Sequence, residues 1–198
     1  MRKYIRILLF SSLTLLLPQS LLAQPSAADD FINEASSALL ETSSIGDADE
    51  RLTRLSSAID QYFDLSLVAL GVVGNHRDAL SAEQMLEFEV EFQKALVGLM
   101  FAALEEIGSY ELLVEEPRMR DENRAQVLAL IETASQGDLE FLFSLVRSEN
   151  AWNVANLIIS GVNLGLTYRN QFNELMLSNE GNADLAITAW AETLSTAR

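Results

Sequence analysis

Residues 139–145 read Leu139-Glu140-Phe141-Leu142-Phe143-Ser144-Leu145. Every second residue, Leu139, Phe141, Phe143 and Leu145, is apolar, while Glu140 and Ser144 fall on the alternate face. Side chains alternate across a strand, so this is a strand with one face that must be covered. It extends from Asp138 to Arg147, between two further strands at Ala125 to Glu132 and Ala151 to Ser160. The breaks, Ser135-Gln136-Gly137-Asp138 and Ser148-Glu149-Asn150, are turn chemistry at hairpin spacing. A shorter run, Tyr110 to Val114, comes first, after Gly108. The segment reads as an antiparallel meander of about four strands.

Upstream the period changes to that of helices. Asp29 or Asp30 can cap a helix through about Glu41, with Phe31, Ala35, Ala38 and Leu39 on one face. After the turn Ser43 to Asp47, a second helix is expected over about 48–61, with Leu52, Leu55 and Ile59 on one side. Asp47-Ala48-Asp49-Glu50 lacks the remaining ligands and the central Gly of a calcium loop, and acidic residues at a helix start are favoured by the dipole. Tyr62 to Val73 predicts a short buried helix, followed by a loop at Gly74-Asn75-His76-Arg77. Ser81 then caps the longest helix, Ala82 to about Ile107, with Gln84 in the reciprocal capping-box position. Met85, Phe88, Phe92 and Leu96 stripe its first half, and from Ala95 to Leu104 there is no charge. Such a helix is expected to enter the interior, with Gly98 and Ala102-Ala103 leaving room for a close approach on one side.

Downstream of Gly161-Val162, helices are expected near Leu164 to Leu177 and from about Ala183 to Thr196. Helices, then an antiparallel meander, then helices make an α+β plan. There are no internal repeats and no low-complexity linker.

The chain has 198 residues, with 13 Lys+Arg against 29 Asp+Glu, one His and no Cys. At ~150 residues per domain this is one domain. An apolar fraction of 49% suits a folded core. The acidity argues against nucleic acid and against adsorption to anionic lipid, both of which need clustered cations. Without Cys there are no disulfides, iron–sulfur clusters or thiol catalysis. Arg2, Lys3 and Arg6 precede the uncharged run Ile7 to Leu17, which Pro18 ends, and Ser20-Leu21-Leu22-Ala23 follows. This is a signal-peptide pattern over residues 1–23, with cleavage after Ala23, or alternatively after Ala28. The apolar run is far shorter than the ~20 residues of a membrane span. The mature chain, 24–198, then carries 10 cations against 29 acids, a net charge of −19, and Lys94 is its only lysine.

No catalytic constellation stands out. His76 lies in a loop beside Arg77. Glu105-Glu106 and Glu115-Glu116 are adjacent pairs, and neighbours on a helix point ~100° apart, so neither is a ready acid/base dyad. Gly71-Val72-Val73-Gly74 lacks the Lys and the strand of a phosphate loop. Many apolar residues with little chemistry suit a binding module or carrier better than an enzyme, and no metal or cofactor is expected.

Two stretches carry a resemblance. The first holds Tyr62-Phe63-Asp64-Leu65, Val72-Val73-Gly74 and Ser81-Ala82-Glu83-Gln84, followed by Phe88 and Phe92. The second runs Trp152-Asn153-Val154-Ala155-Asn156 through Gly161-Val162-Asn163-Leu164 to Tyr168-Arg169-Asn170-Gln171-Phe172. In this order they resemble the MlaC or toluene-tolerance family of periplasmic phospholipid-binding proteins. Asn75-His76-Arg77, Ala155-Asn156, Ser160 and Asn163 depart from the family pattern.

The resemblance implies a twisted antiparallel sheet flanked by helices, NTF2-like in outline, with an apolar pocket between sheet and helices. It implies a monomeric periplasmic carrier of phospholipid, moving lipid between an outer-membrane lipoprotein complex and an inner-membrane ABC transporter complex to maintain outer-membrane asymmetry. A non-transport interaction module on the same fold and a carrier of another lipid, such as a hopanoid, are the alternatives. The pocket would draw on the late half of the long helix at Val97, Met100, Phe101 and Leu104. From the strands it would take Phe141, Phe143, Leu145, Val154 and Ile158, and from the last segment Val162, Leu166 and Phe172.

Overall fold

The computed structural model describes residues 27–105, 110–133, 137–148 and 151–196. The signal-peptide segment, Ser135-Gln136 and Glu149-Asn150 of the two turns, and residues 106–109 lie outside the described residues.

Helix α1 spans Ala28–Glu41 and buries Phe31, Ile32, Ala35, Leu39 and Leu40. It starts slightly earlier than its acidic pair predicts. Ala27 is the N-cap without a side-chain hydrogen bond, and Asp29 and Asp30 sit in the first turn, where the helix dipole favours them. Helix α2, Ala48–Tyr62, is capped by Asp47, which accepts the Glu50 N–H at 2.9 Å. Leu55 and Ile59 are buried, whereas Leu52 is exposed at a groove against Val90. Helix α3, Leu65–Val73, is capped by Asp64. It ends at Gly74 with φ 57°, where a Cβ would meet the Arg169 side chain at 3.4 Å. A 3-10 turn over Gly74–Ala79 follows. Helix α4, Ala82–Glu105, opens with the expected capping box: Gln84 N–H donates to Ser81 Oγ at 3.2 Å, and Ser81 N–H to Gln84 Oε1 at 2.8 Å.

The strands are β1 (Tyr110–Val114), β2 (Arg118–Asp121), β3 (Arg124–Thr133), β4 (Gly137–Ser148), β5 (Ala151–Ile159) and β6 (Val162–Asn163). They form one open antiparallel sheet in the order β1-β3-β4-β5-β6, with β2 also on β3. Among the described residues, six strands therefore stand where about four were expected. The additions are short: β2 is Arg-Met-Arg-Asp, exposed throughout and without apolar alternation, and β6 has two residues. Ser160 and Gly161 between β5 and β6 both have positive φ, 46° and 85°, as a two-residue type I′ hairpin requires.

Helices α5 (Leu164–Ser178) and α6 (Ala183–Thr196) complete the chain. Asn163 caps α5 by accepting the Leu166 N–H. Phe88 and Phe92 of α4 and Tyr168 and Phe172 of α5 surround Trp190 of α6, with the Phe88 and Trp190 rings 4.5 Å apart and stacked. This aromatic cluster fastens the three helices together, one Phe or Trp of which buries enough surface to dominate its local energetics.

Strand β5 carries the main departure from simple alternation. Ser144 pairs with Asn156, but Leu145 pairs with Val154, so Ala155 is an extra residue in a β-bulge. Before it, Trp152 and Val154 face the helices; after it, Leu157 and Ile159 do. Ile158 thereby lies on the opposite face from Val154, because a one-residue insertion reverses every later side chain. Beside the bulge the edge of β5 is covered: Phe63 bridges Val154 in parallel, and Asp64 N–H donates to the Val154 carbonyl at 3.1 Å.

Candidate functional site

On the helix-covered face of the sheet, register aligns side chains in rows. Ala129, Phe141 and Ile159 sit opposite one another across β3, β4 and β5; Val127, Phe143 and Leu157 form the next row, and Ile131 opposes Leu139 on the other side. The small Ala129 beside Phe141 leaves space above the sheet. Leu39 and Leu40 of α1 and Leu99, Met100, Ala103 and Leu104 of α4 roof that space without filling it. The result is a partly sheltered cavity of about 270 Å³, whose only polar lining side chain among the described residues is Ser36. The Phe141 and Phe143 rings lie near-parallel, 6.5 Å apart, along its floor. Of the α4 residues that line it, Leu99 and Ala103 are exposed.

This explains the uncharged stretch of α4. Leu96, Val97, Met100 and Leu104 are buried, but Leu99, Ala102 and Ala103 are exposed, so the helix is not enclosed all round. On the rear flank, the Arg51 guanidinium lies 4.0 Å over the Phe101 ring and donates to Glu105 Oε1 at 2.8 Å. Behind α1, Tyr62 of α2 donates to Glu34 Oε1 at 3.0 Å and packs edge-on against Phe31. Burial, reinforced by the Glu34 carboxylate, raises the Tyr62 pKa.

Of the sequence-derived candidates, the cavity brings together Met100, Leu104, Phe141 and Phe143. Val97 lines the groove between α2 and α4, and Phe101 lies under Arg51. Leu145 and Val154 are solid core. Ile158, turned by the bulge, lines a depression on the outer face with Leu128, Leu142, Glu115, Glu116 and Glu140. Val162 pairs with Ile159 at the sheet end but is exposed, as is Leu166 in the first turn of α5, while Phe172 is fully buried in the aromatic cluster. Sequence reasoning missed Ser36, Leu39 and Leu40 of α1, Leu99 and Ala103 of α4, and Ala129, Ile131, Leu139 and Ile159 of the sheet. The alternation of β3 and the apolar face of α1 were the available signals.

Among the described residues, the cavity lining contains no titratable side chain. Among the described residues no group of three or more His, Asp or Glu could hold a metal ion, and no helix is long and apolar enough to cross a membrane. His76 shares a 2.8 Å hydrogen bond with Asn173 and lies edge-on to Phe172, which ties the 3-10 turn to α5.

Residues 29–192 match the family described as MlaC protein. The chain belongs to the MlaC family. Among MlaC relatives, it is 28% identical over 116 residues to the toluene tolerance protein ttg2D of Pseudomonas putida. That match covers 59% of this chain and spans only 54% of the relative's length. Its MlaC fold is similar to that of a phospholipid-binding protein from Ralstonia solanacearum, solved in complex with a phospholipid, with a TM-score of 0.77 and 20% identity. The superposition covers 86% of this chain and 98% of that one.

Proposed function

We propose that this MlaC-family chain is an exported, monomeric carrier that holds phospholipid tails in the cavity between α1, α4 and the sheet. The observation that carries the reading is that cavity, apolar except for Ser36 and roofed by a helix stretch without charge. The phospholipid bound by the Ralstonia solanacearum protein of similar fold supports it. An acyl chain of ~16 carbons, at ~0.8 kcal/mol per methylene, is held in a membrane by roughly 13 kcal/mol. A carrier must return much of that through apolar contact and leave the head group in water. It needs no covalent chemistry, which suits a lining without titratable groups.

The carrier works in the periplasm after cleavage of the leader following Ala23. It exchanges lipid with an inner-membrane ABC transporter complex and an outer-membrane lipoprotein complex, and so maintains outer-membrane asymmetry. Direction follows from the difference in lipid affinity between the partners and from energy supplied by the transporter. A net charge of −19 on the mature chain opposes adsorption to anionic bilayers and favours docking on proteins.

Native mass spectrometry of protein purified from a periplasm, with extraction of the same sample, tests this. Near-stoichiometric phospholipid is expected. Protein that stays empty, even after incubation with phospholipid and re-isolation, overturns the carrier reading.

A further inference from the structure

We infer that the outer edge of β1 is a docking site for an extended segment of a partner protein, basic on one face and apolar on the other; this goes beyond the carrier reading and does not depend on it. The first argument is which backbone groups β1 leaves unused. Glu115 N–H donates to the Leu128 carbonyl, and the register pairs Leu113 with Leu130 and Glu111 with Glu132. Hydrogen-bonded pairs alternate along an antiparallel ladder, so Glu111, Leu113 and Glu115 turn their N–H and C=O toward β3. Tyr110, Leu112 and Val114 turn theirs the other way, and among the described residues nothing pairs with them there.

The second argument is that this edge lacks the protection its neighbours have. An open edge invites another chain unless charge, a bulge or a covering segment blunts it. Strand β2, on the same side of β3, carries Arg118, Arg120 and Asp121 and a register shift. The β5 edge is covered at Val154 by Phe63 and Asp64. By contrast, β1 reads Tyr-Glu-Leu-Leu-Val, with a single charge, and its Leu113 is 53% exposed.

The third argument is charge, which fixes the partner's chemistry. The register sets Glu111 opposite Glu132 and Glu132 opposite Asp138, so three carboxylates stand in one row across β1, β3 and β4 on the outer face. Like charges directly opposite destabilise a sheet, and among the described residues none of the three has a cationic partner. Along β1 this face reads Glu111, Leu113, Glu115. A strand added antiparallel to β1 meets these residues in non-hydrogen-bonded pairs, where side chains come closest. It therefore needs cation, apolar, cation at alternate positions. Its other face continues Leu112 and Val114, which pack against the core, and is apolar.

The test titrates the 15N-labelled protein with the peptide acetyl-Lys-Val-Leu-Val-Lys-amide and reads amide exchange by NMR. Exchange at Leu112 and Val114 is expected to slow by about ten-fold or more at saturation. N-methylation of both peptide valines, whose amides face β1, is expected to abolish that protection. N-methylation of the central leucine, whose amide faces away, leaves it. Glu in place of both peptide lysines is expected to weaken binding by about ten-fold or more. In the protein, Glu111→Lys with Glu115→Lys, both at exposed positions, reverses that preference. Equal protection by the valine-methylated and leucine-methylated peptides overturns the strand pairing. Equal binding of the basic and acidic peptides overturns the charge assignment. No protection at any peptide concentration overturns the site. Protection that rises with protein concentration in the absence of peptide makes a second copy of the chain the occupant and overturns the partner assignment. None of these readouts uses lipid, so each outcome leaves the carrier reading untouched.

Discussion

The side-chain Oδ1 of Asn156 accepts the backbone N–H of Gly165 at 3.2 Å, joining β5 just past its bulge to the first turn of α5. A Cβ on Gly165 would lie 2.5 Å from that oxygen, so the contact exists only because the residue is glycine. Gly165→Ala is expected to cost about 1–3 kcal/mol, the penalty for displacing the acceptor of a partly buried amide. In an Asn156→Ala background the same substitution costs at least ~0.5 kcal/mol less. Urea denaturation of the four proteins measures this, and equal costs in both backgrounds contradict the contact.

Ser160 sits at φ 46° in the turn before β6, a conformation in which Asn is better accommodated. Ser160→Asn is expected to stabilise the protein by up to about 1 kcal/mol. The urea midpoint rises with an unchanged slope if this holds; a lower midpoint refutes it.

Ala103 is exposed on α4 yet lines the cavity, so a large ring there closes the opening without entering the core. Ala103→Trp is expected to reduce lipid loading at least ten-fold while the thermal midpoint moves by only a few degrees. Met100→Trp acts on a buried neighbour and also costs about 1–3 kcal/mol through overpacking. Loading by native mass spectrometry and melting by circular dichroism separate the two effects.

Arg51 and Glu105 contribute unequally to the α2–α4 clamp, because the Arg side chain is 13% exposed and the Glu 53%. Glu105→Gln loses a largely solvated ion pair and is expected to cost below ~1 kcal/mol, shrinking further in high salt. Arg51→Ala also uncovers the Phe101 ring and is expected to cost about 1–2 kcal/mol, mostly retained in salt. Melting both variants at low and high ionic strength distinguishes the contributions.

Tyr168, packed edge-on against Phe92 and Trp190, has its phenol pKa raised above the ordinary 10.0 by burial. The folded state then holds its proton more tightly than the unfolded chain. The resulting stability is fully present below about pH 10 and is lost as pH rises from there through the folded pKa. Alkaline melting is expected to steepen in that window, and Tyr168→Phe flattens it. An unchanged profile in Tyr168→Phe assigns the loss to other groups, Tyr62 first.

The main helices and the four longer strands were legible because burial imposes a period on each. The β4 strand shows this best, with Phe143 and Leu145 buried as its alternation requires. The Ser81–Gln84 capping box was legible because both hydrogen bonds depend on residues three positions apart. The β2 strand was not legible, since an exposed edge leaves no apolar trace in Arg118 to Asp121. The cavity was half legible. Met100 and Leu104 follow from the composition of α4, but the share of α1 depends on where that helix settles on β3, which no local pattern encodes. Ile158 illustrates the remaining gap: alternation counted from Val154 places it inward, and Ala155 turns it outward.

The bulge makes β5 a strand read in two frames. Trp152 and Val154 belong to the first, and Leu157 and Ile159 to the second. A relative missing one residue here would show an ordinary single-position gap in an alignment. Yet without the extra residue Ser144 would still pair with Asn156 and Phe141 with Ile159, so the same side chains would stay at the cavity floor while the sequence alternation became regular. The one-position gap would therefore change how the strand reads in sequence, not which of its side chains face the helices.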